Sequence, residues 1–250
     1  MKGNPMLKSI SFPMKQRSAL SQTIASLFRV LPRKLESHPD HVGVEAEEYN
    51  RMVKVHYWLL NRPFIQMVSK LEICNKKVLD IGTGPGWNSI GIAKRHPDYK
   101  ITAIDLSPDM IAIAKKNAED EGVADQISFI VGDATKLPFE DNEFGLVISH
   151  FMLHHIDHPE DMLVEANRVK HQEGQVFIKD LLRQPNWKKG FLLWFSKYFL
   201  RYNEEQLREY DESMGAGLVM NEVPGKLKKA NIEGGRVKNF RGLDFILHLK

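Results

Sequence analysis

One stretch restricts the fold more than any other. A short apolar run, Lys77-Val78-Leu79-Asp80-Ile81, leads into Gly82-Thr83-Gly84-Pro85-Gly86 and then into Trp87. Glycines at three alternate positions between a strand and a helix let the chain turn sharply and let a ligand approach the backbone. The dinucleotide fingerprint G-x-G-x-x-G requires glycine at position 87, where this chain has Trp87. Asp80, just ahead of the glycines, repels a phosphate and attracts an amine, so the expected ligand is cationic or zwitterionic at that end.

From residue 76 onward, strand-like runs alternate with helical ones. After the glycine loop the pattern predicts a helix from Trp87 to His96, stopped by Pro97, and a strand over Lys100–Asp105. Ser107-Pro108-Asp109 reads as an N-cap with proline in the first turn, opening a helix on Met110, Ile111, Ile113, Ala114 and Ala118 that stops at Gly122. Strands are predicted over Ile127–Val131, Phe144–Ser149 and Gln175–Asp180, with a helix over Asp161–Val169 between the last two. A helix over Glu222–Ala230 precedes a hairpin whose arms are Arg236–Phe240 and Asp244–Leu249. The spacing predicts an α/β fold, a mostly parallel sheet with helices on both faces, closed by an antiparallel C-terminal strand. Segments 1–75 and 181–221 fall outside the alternation and read as helical additions.

Composition narrows the function. The single cysteine, Cys74, excludes a disulfide framework and a cysteine-based zinc cluster; no metal site is expected, and a reducing cytoplasm is the default location. The formal charge of +3 hides an asymmetry, because Lys2, Lys8, Lys15, Arg17, Arg29, Arg33 and Lys34 make residues 1–35 basic and acid-free. Residues 36–250 are net acidic, which argues against nucleic acid as the partner. The basic arm shares its composition with transit peptides, yet Leu20, Ile24, Leu27, Phe28 and Leu31 follow helical spacing. A frayed or lid-forming helix is favoured over targeting or peripheral membrane contact.

Two further acids follow strands as Asp80 does. Asp105 ends the second strand about 20 residues past the glycines, where an acid can hold a ribose diol. Asp133 follows the third and can accept from an exocyclic amine of adenine. With these residues in place, the chain resembles a class I S-adenosylmethionine-dependent methyltransferase, of the group that includes the ubiquinone/menaquinone-biosynthesis C-methyltransferases. The segments that carry the likeness are VLDIGTGPG, ITAIDLSPDMIAIAKKNA, ISFIVGDATKLPFEDNEFGLVISHFMLHHIDHPE and GQVFIKD. The resemblance implies a doubly wound, Rossmann-like, seven-stranded methyltransferase domain over 76–250, capped by 1–75 and carrying a lid insertion at about 181–221. It implies S-adenosylmethionine as methyl donor. Asp80, Gly82, Thr83, Gly84 and Gly86 would cradle the methionine moiety. Asp105 would bind the ribose, Leu106 and Met110 would flank the adenine, and Asp133 and Ala134 would read its edge. The backbone at Ser149-His150 would meet the amino group.

Two departures from the family pattern stand out. Lys170-His171-Gln172-Glu173-Gly174 replaces the usual proline-glycine-glycine turn before the fifth strand. The fourth strand ends in Ser149-His150-Phe151-Met152 rather than the Asn/Asp-Pro-Pro-Tyr motif of enzymes that methylate planar nitrogens.

Methyl transfer from a sulfonium is an in-line displacement that needs positioning above all, and a base only when the acceptor must lose a proton. His154 is the candidate base, set against a structural reading in which it bonds nearby backbone; His155 is expected to pack or cap, and His158-Pro159 to turn. Asp180 and Arg183 form a possible acid–guanidinium pair, and Tyr49, Asn50 and Arg51 precede a helix placed over the cofactor. The aromatic segment Phe191–Leu200 is either the wall of a lipophilic pocket near a membrane or a lid packed on residues 18–31 or a second subunit. The expected activity is methyl transfer to carbon or oxygen of a small acceptor of lipophilic character. An RNA or protein methyltransferase and a silent cofactor-binding scaffold are the alternatives.

Overall fold

The computed structural model describes residues 25–35 and 44–250, apart from the side chains at 44, 45 and 58. Its seven strands are β1 (Lys77–Ile81), β2 (Lys100–Asp105), β3 (Ile127–Val131), β4 (Phe144–His150), β5 (Lys170–Leu181), β6 (Arg236–Phe240) and β7 (Asp244–Leu249). They form one sheet in the order β3-β2-β1-β4-β5-β7-β6. β1 to β5 are parallel, while β7 runs antiparallel to both β5 and β6. The order reverses beside β1, so the connections that leave β1 and β4 run in opposite directions and open the crevice where open α/β sheets bind ligands.

The helices are α1 (Val44–Val55), α2 (Tyr57–Val68), α3 (Trp87–Ala93), α4 (Pro108–Asp120), α5 (Pro159–Val169), α6 (Asn186–Phe195), α7 (Glu204–Ala216) and α8 (Val223–Lys229). α4 starts as the sequence predicts, with Ser107 Oγ accepting from the Met110 N–H and Pro108 in the first turn. Its buried residues Met110, Ile111, Ile113, Ala114 and Ala118 form the inward stripe. β4 is buried at every residue, as a central strand covered on both faces must be. Phe64 and Ile65 of α2 are fully buried and share a core with Val78, Leu146 and Ile148 of the sheet.

Several boundaries differ from expectation. α3 ends at Ala93, because Pro97 restricts the residue before it and 94–95 close as a turn instead. α5 begins two residues early at Pro159, whose missing N–H costs nothing in a first turn. Lys170–Gly174 is not a turn but the start of β5, joined to β4 through a register shift between Phe144 and Leu146. Gly174 permits this because a Cβ there would lie 2.8 Å from the Phe144 carbonyl oxygen. In the N-terminal arm, residues 25–28 form a helical turn and 29–35 have no regular secondary structure; Leu20 and Ile24 lie outside the described residues. No described helix is long and apolar enough to cross a membrane.

Candidate functional site

At the carboxyl end of β1 the chain bends through Gly82 and Gly84, both at positive φ (69° and 54°). A Cβ on Gly82 would lie 2.1 Å from Met152 Cγ, whereas one on Gly84 would meet nothing within 4 Å. The first glycine allows the loop to pack on the turn after β4, and the second leaves a backbone cradle facing open space. The Gly82 and Thr83 N–H groups donate to the Ile104 carbonyl at 2.8 and 3.1 Å, and the Gly84 N–H donates to Asp105 Oδ2 at 2.7 Å. Asp105 Oδ1 accepts from the Ser107 N–H at 3.0 Å, so this one carboxylate ties the glycine loop to the start of α4.

Beside that loop lies a cleft of about 230 Å³. Nine of the eleven cofactor residues named from the sequence line it: Gly82, Thr83, Gly84, Asp105, Leu106, Met110, Asp133, Ala134 and His150. The other two, Asp80 and Gly86, do not. Gly86 turns away into α3, packing against Ala114. Asp80 is fully buried behind the loop, where its Oδ2 accepts from Thr83 Oγ1 at 2.8 Å and Ser89 Oγ at 2.7 Å. Its Oδ1 is buried with no hydrogen-bond partner. Burial raises its pKa from 3.8 to about 6, against the two hydroxyls that hold it down. Asp133 is exposed and folds back on its own turn, its Oδ1 accepting from the Thr135 N–H and hydroxyl at 2.8 Å each, which holds the carboxyl below its usual range.

His150 is a wall of a different kind. Its ring stacks between Phe64 (4.3 Å) and Phe151 (4.1 Å), and Asn88 Nδ2 donates to its Nδ1 at 3.3 Å. Burial first, and Lys179 second, push its pKa well below the ordinary value, so it is neutral. Phe151 sits at φ 54°, a left-handed conformation that an aromatic residue rarely adopts.

A second cavity of about 340 Å³, far richer in apolar than polar lining, adjoins the first. Tyr49, Leu60, Phe151 and His155 line both and form the common wall. Leu181, Leu192, Phe195, Leu200, Tyr202 and Leu243 make much of its apolar surface. Lys179 and Asp244 form a polar corner, paired at 2.6 Å with both side chains almost wholly buried. Burial lowers the lysine pKa and raises that of the aspartate.

His154 lines this second cavity and not the first. It occupies a 3₁₀ turn, Leu153–His155, and its Nδ1 lies 2.7 Å from Asp180 Oδ1. Asp180 also accepts from the Met152, Leu153 and Leu181 N–H groups. Burial alone would raise this carboxyl, but His154 and the donors around it outweigh burial and hold it below its usual range. The aspartate is thus ionised and can only accept, so Nδ1 of His154 carries a proton toward it and Nε2 is the nitrogen left for another partner.

Other expectations are corrected. Asp180 and Arg183 do not pair: Asp180 serves His154, while Arg183 binds Glu222 Oε1 and the Gly217 carbonyl, each at 2.7 Å. Tyr49, Asn50 and Arg51 lie within α1 rather than before it. Tyr49 reaches both cavities, and Asn50 Oδ1 accepts from Trp87 Nε1 and Asn117 Nδ2, which clamps α1 over the glycine loop. Arg51 pairs with Glu48 at the surface. His155, expected only to pack or cap, reaches the common wall. Sequence reasoning missed Leu60, Asn61, Tyr202, Tyr210 and the Lys179–Asp244 pair. For the pair a signal existed in Val176-Phe177-Ile178-Lys179, a lysine directly after a run of three apolar residues.

A family described as "Methyltransferase domain" matches residues 78–174. The ubiquinone/menaquinone biosynthesis C-methyltransferase UbiE of Ruegeria sp. (strain TM1040) is 30% identical over 190 residues, covering 73% of this chain and 72% of that one. The protein of the same name from Roseobacter denitrificans is 33% identical over 111 residues. That match covers 44% of each chain, so this chain spans less than half the length of that relative. Among solved structures, a putative S-adenosyl-L-methionine-dependent methyltransferase from Methanococcus maripaludis superposes with a TM-score of 0.65 at 20% identity, covering 86% of this chain and 94% of that one. At that identity the likeness speaks for the fold alone.

Proposed function

Because this chain belongs to the class I S-adenosylmethionine-dependent methyltransferases, in the UbiE-like group, we propose that it transfers a methyl group from S-adenosylmethionine in the first cavity to carbon or oxygen of a small, apolar acceptor in the second. One observation carries the reading: two cavities of different character meet at a wall of Tyr49, Leu60, Phe151 and His155. In-line displacement requires donor and acceptor to face each other across a short, water-poor gap, and apolar residues at the junction of two pockets supply that.

The residues present fit the cofactor. The cradle at Gly84 is open, and the buried Asp80 carboxylate with its unpartnered oxygen favours a ligand that is cationic at that end. When bound, S-adenosylmethionine supplies an electrophilic methyl on a sulfonium. Asp105 holds the ribose hydroxyls and Asp133 and Ala134 the adenine edge, with Leu106 and Met110 against the ring. Gly82, Thr83 and Gly84 hold the methionine end from their backbone, and His150 closes the inner side. On the acceptor side, Lys179 and Asp244 bind the acceptor's polar group, and His154, oriented by Asp180, takes its proton at Nε2. Peripheral membrane contact and self-association are taken to be compatible with this arrangement and not required by it.

Purified protein with methyl-labelled S-adenosylmethionine and fractionated cell extract tests the proposal. Enzyme-dependent label in the organic-soluble or small-molecule fraction supports it. Label in RNA or protein would move the acceptor to the alternative class, and cofactor binding without label in any fraction would favour a silent scaffold.

A further inference from the structure

Large aromatic side chains usually lie inside, and a contiguous exposed patch of them marks an interaction surface. In this molecule such a patch covers α6 and the π-helical turn Ser196–Leu200 that continues it. Trp187, Phe191, Trp194 and Tyr198 recur every three or four residues and so form one stripe. Phe199 and, from the N-terminal segment, Phe28 extend it, and these six are between 47% (Trp187) and 66% (Phe28) exposed. Rings touch along its length: Phe28 with Trp187, Phe191 with Trp194, and Trp194 with both Tyr198 and Phe199, at centroid distances of 5.7 to 6.4 Å. Leu27, Val30 and Leu31 add exposed aliphatic area beside Phe28.

The two segments that build the patch carry charge of one sign. Residues 186–201 contain Lys188, Lys189, Lys197 and Arg201 and no acid, and residues 25–35 contain Arg29, Arg33 and Lys34 and no acid. Asp211 and Glu204 pair with Lys189 and Lys197, while Arg33 turns inward onto four backbone carbonyls. Lys188 donates to the Gly242 carbonyl, which leaves Arg29, Lys34 and Arg201 as the remaining exposed basic residues of the two segments. Tryptophan and tyrosine flanked by lysine and arginine on an amphipathic helix is the composition that settles at the headgroup boundary of an anionic bilayer. The next face of the same segment, Leu192, Phe195, Ser196 and Leu200, lines the acceptor cavity.

We propose that α6, the turn after it and residues 25–31 form a docking surface for an anionic lipid bilayer. It places the acceptor cavity against the phase in which an apolar acceptor is dissolved, so its benefit rests on the acceptor reading above. Lipid binding itself does not, because the surface is complete without cofactor or acceptor.

The full chain is mixed with vesicles of phosphatidylcholine, alone or with phosphatidylglycerol, and binding is followed by cosedimentation and by the blue shift of tryptophan emission. Binding to the mixed vesicles, weakening with salt, is expected. The double substitution Phe191→Ser/Trp194→Ser is expected to lower partitioning by about tenfold or more, with S-adenosylhomocysteine affinity unchanged. Absence of binding to mixed vesicles, or equal binding by the variant, overturns the proposal. So does a dimer in sedimentation velocity that the same substitutions abolish, since a second copy would then cover the face. Should the double variant lose S-adenosylhomocysteine binding, Arg201→Glu replaces it, and undiminished partitioning onto mixed vesicles then overturns the proposal.

Discussion

Replacing Asp80 by asparagine isolates the energetic role of a carboxylate that touches no ligand. In the folded chain burial lifts its pKa from 3.8 to about 6. Keeping it ionised near neutrality therefore costs about 3 kcal/mol relative to the unfolded chain, since each unit is worth about 1.4 kcal/mol. The sign follows from the raised value. The stabilisation from protonating Asp80 is complete below about 3.8 and is lost as pH rises through about 6. Asp180, Glu160 and Glu165 have depressed values and act in the opposite sense, so the raw pH profile of the wild type mixes both. The difference between wild type and Asp80→Asn cancels them. Between about pH 8 and about pH 5 the wild type is expected to gain about 1.4 kcal/mol on the variant in urea-unfolding free energy. Over the same range wild-type affinity for S-adenosylhomocysteine is expected to fall about tenfold, because the cationic end of the ligand favours the ionised form. The variant is expected to bind more weakly and with a flatter pH profile. Parallel stability curves for the two proteins would refute the reasoning, since Asp80 would then not titrate in this window.

Four more outcomes follow from particular contacts. Asp105→Ala removes the acceptor for the Gly84 and Ser107 N–H groups and for the ribose, so binding of S-adenosylmethionine and S-adenosylhomocysteine by calorimetry is expected to weaken together, by about 10- to 100-fold. His154→Ala is expected to lower kcat by about 10²- to 10⁴-fold while leaving S-adenosylhomocysteine affinity intact; unchanged kcat would make the His154–Asp180 pair structural. Lys179→Met leaves Asp244 buried and unpaired and is expected to cost about 3–5 kcal/mol in unfolding experiments, most of it recovered in Lys179→Met/Asp244→Leu. Gly82→Ala, which drives a methyl into Met152, is expected to lower Tm well beyond Gly84→Ala, whose stability cost is about 1–2 kcal/mol of backbone strain; the Gly84 methyl instead projects into the cradle and lowers S-adenosylhomocysteine affinity.

The sheet and the lining of the first cavity were legible because both depend on local signals. Strand period, the cap at Ser107 and the glycine spacing are written within a few residues of where they act; Asp105 ends β2 and Asp133 lies two residues past the end of β3. The failures have a common cause in contacts between distant segments. Asp80 precedes the cradle in sequence, yet strand alternation turns its side chain behind the loop, toward Ser89. His154 was found, but its partner was not: Asp180 lies 26 residues on, and only the parallel pairing of β4 with β5 brings the two together. The second cavity is assembled from α1, α2, α6, α7, β5 and the β6–β7 hairpin, so no single stretch of sequence announces it. The aromatic segment after β5 was visible as a stripe, but that one face remains exposed while the next lines a cavity is a tertiary fact.

A crystal structure of the chain with S-adenosylhomocysteine tests the central claim most directly. The account predicts the adenosine against Asp105, Leu106, Met110 and Asp133 and the sulfur turned toward the common wall of Tyr49, Leu60, Phe151 and His155. A sulfur turned toward solvent, or a ligand seated in the apolar cavity, would contradict it.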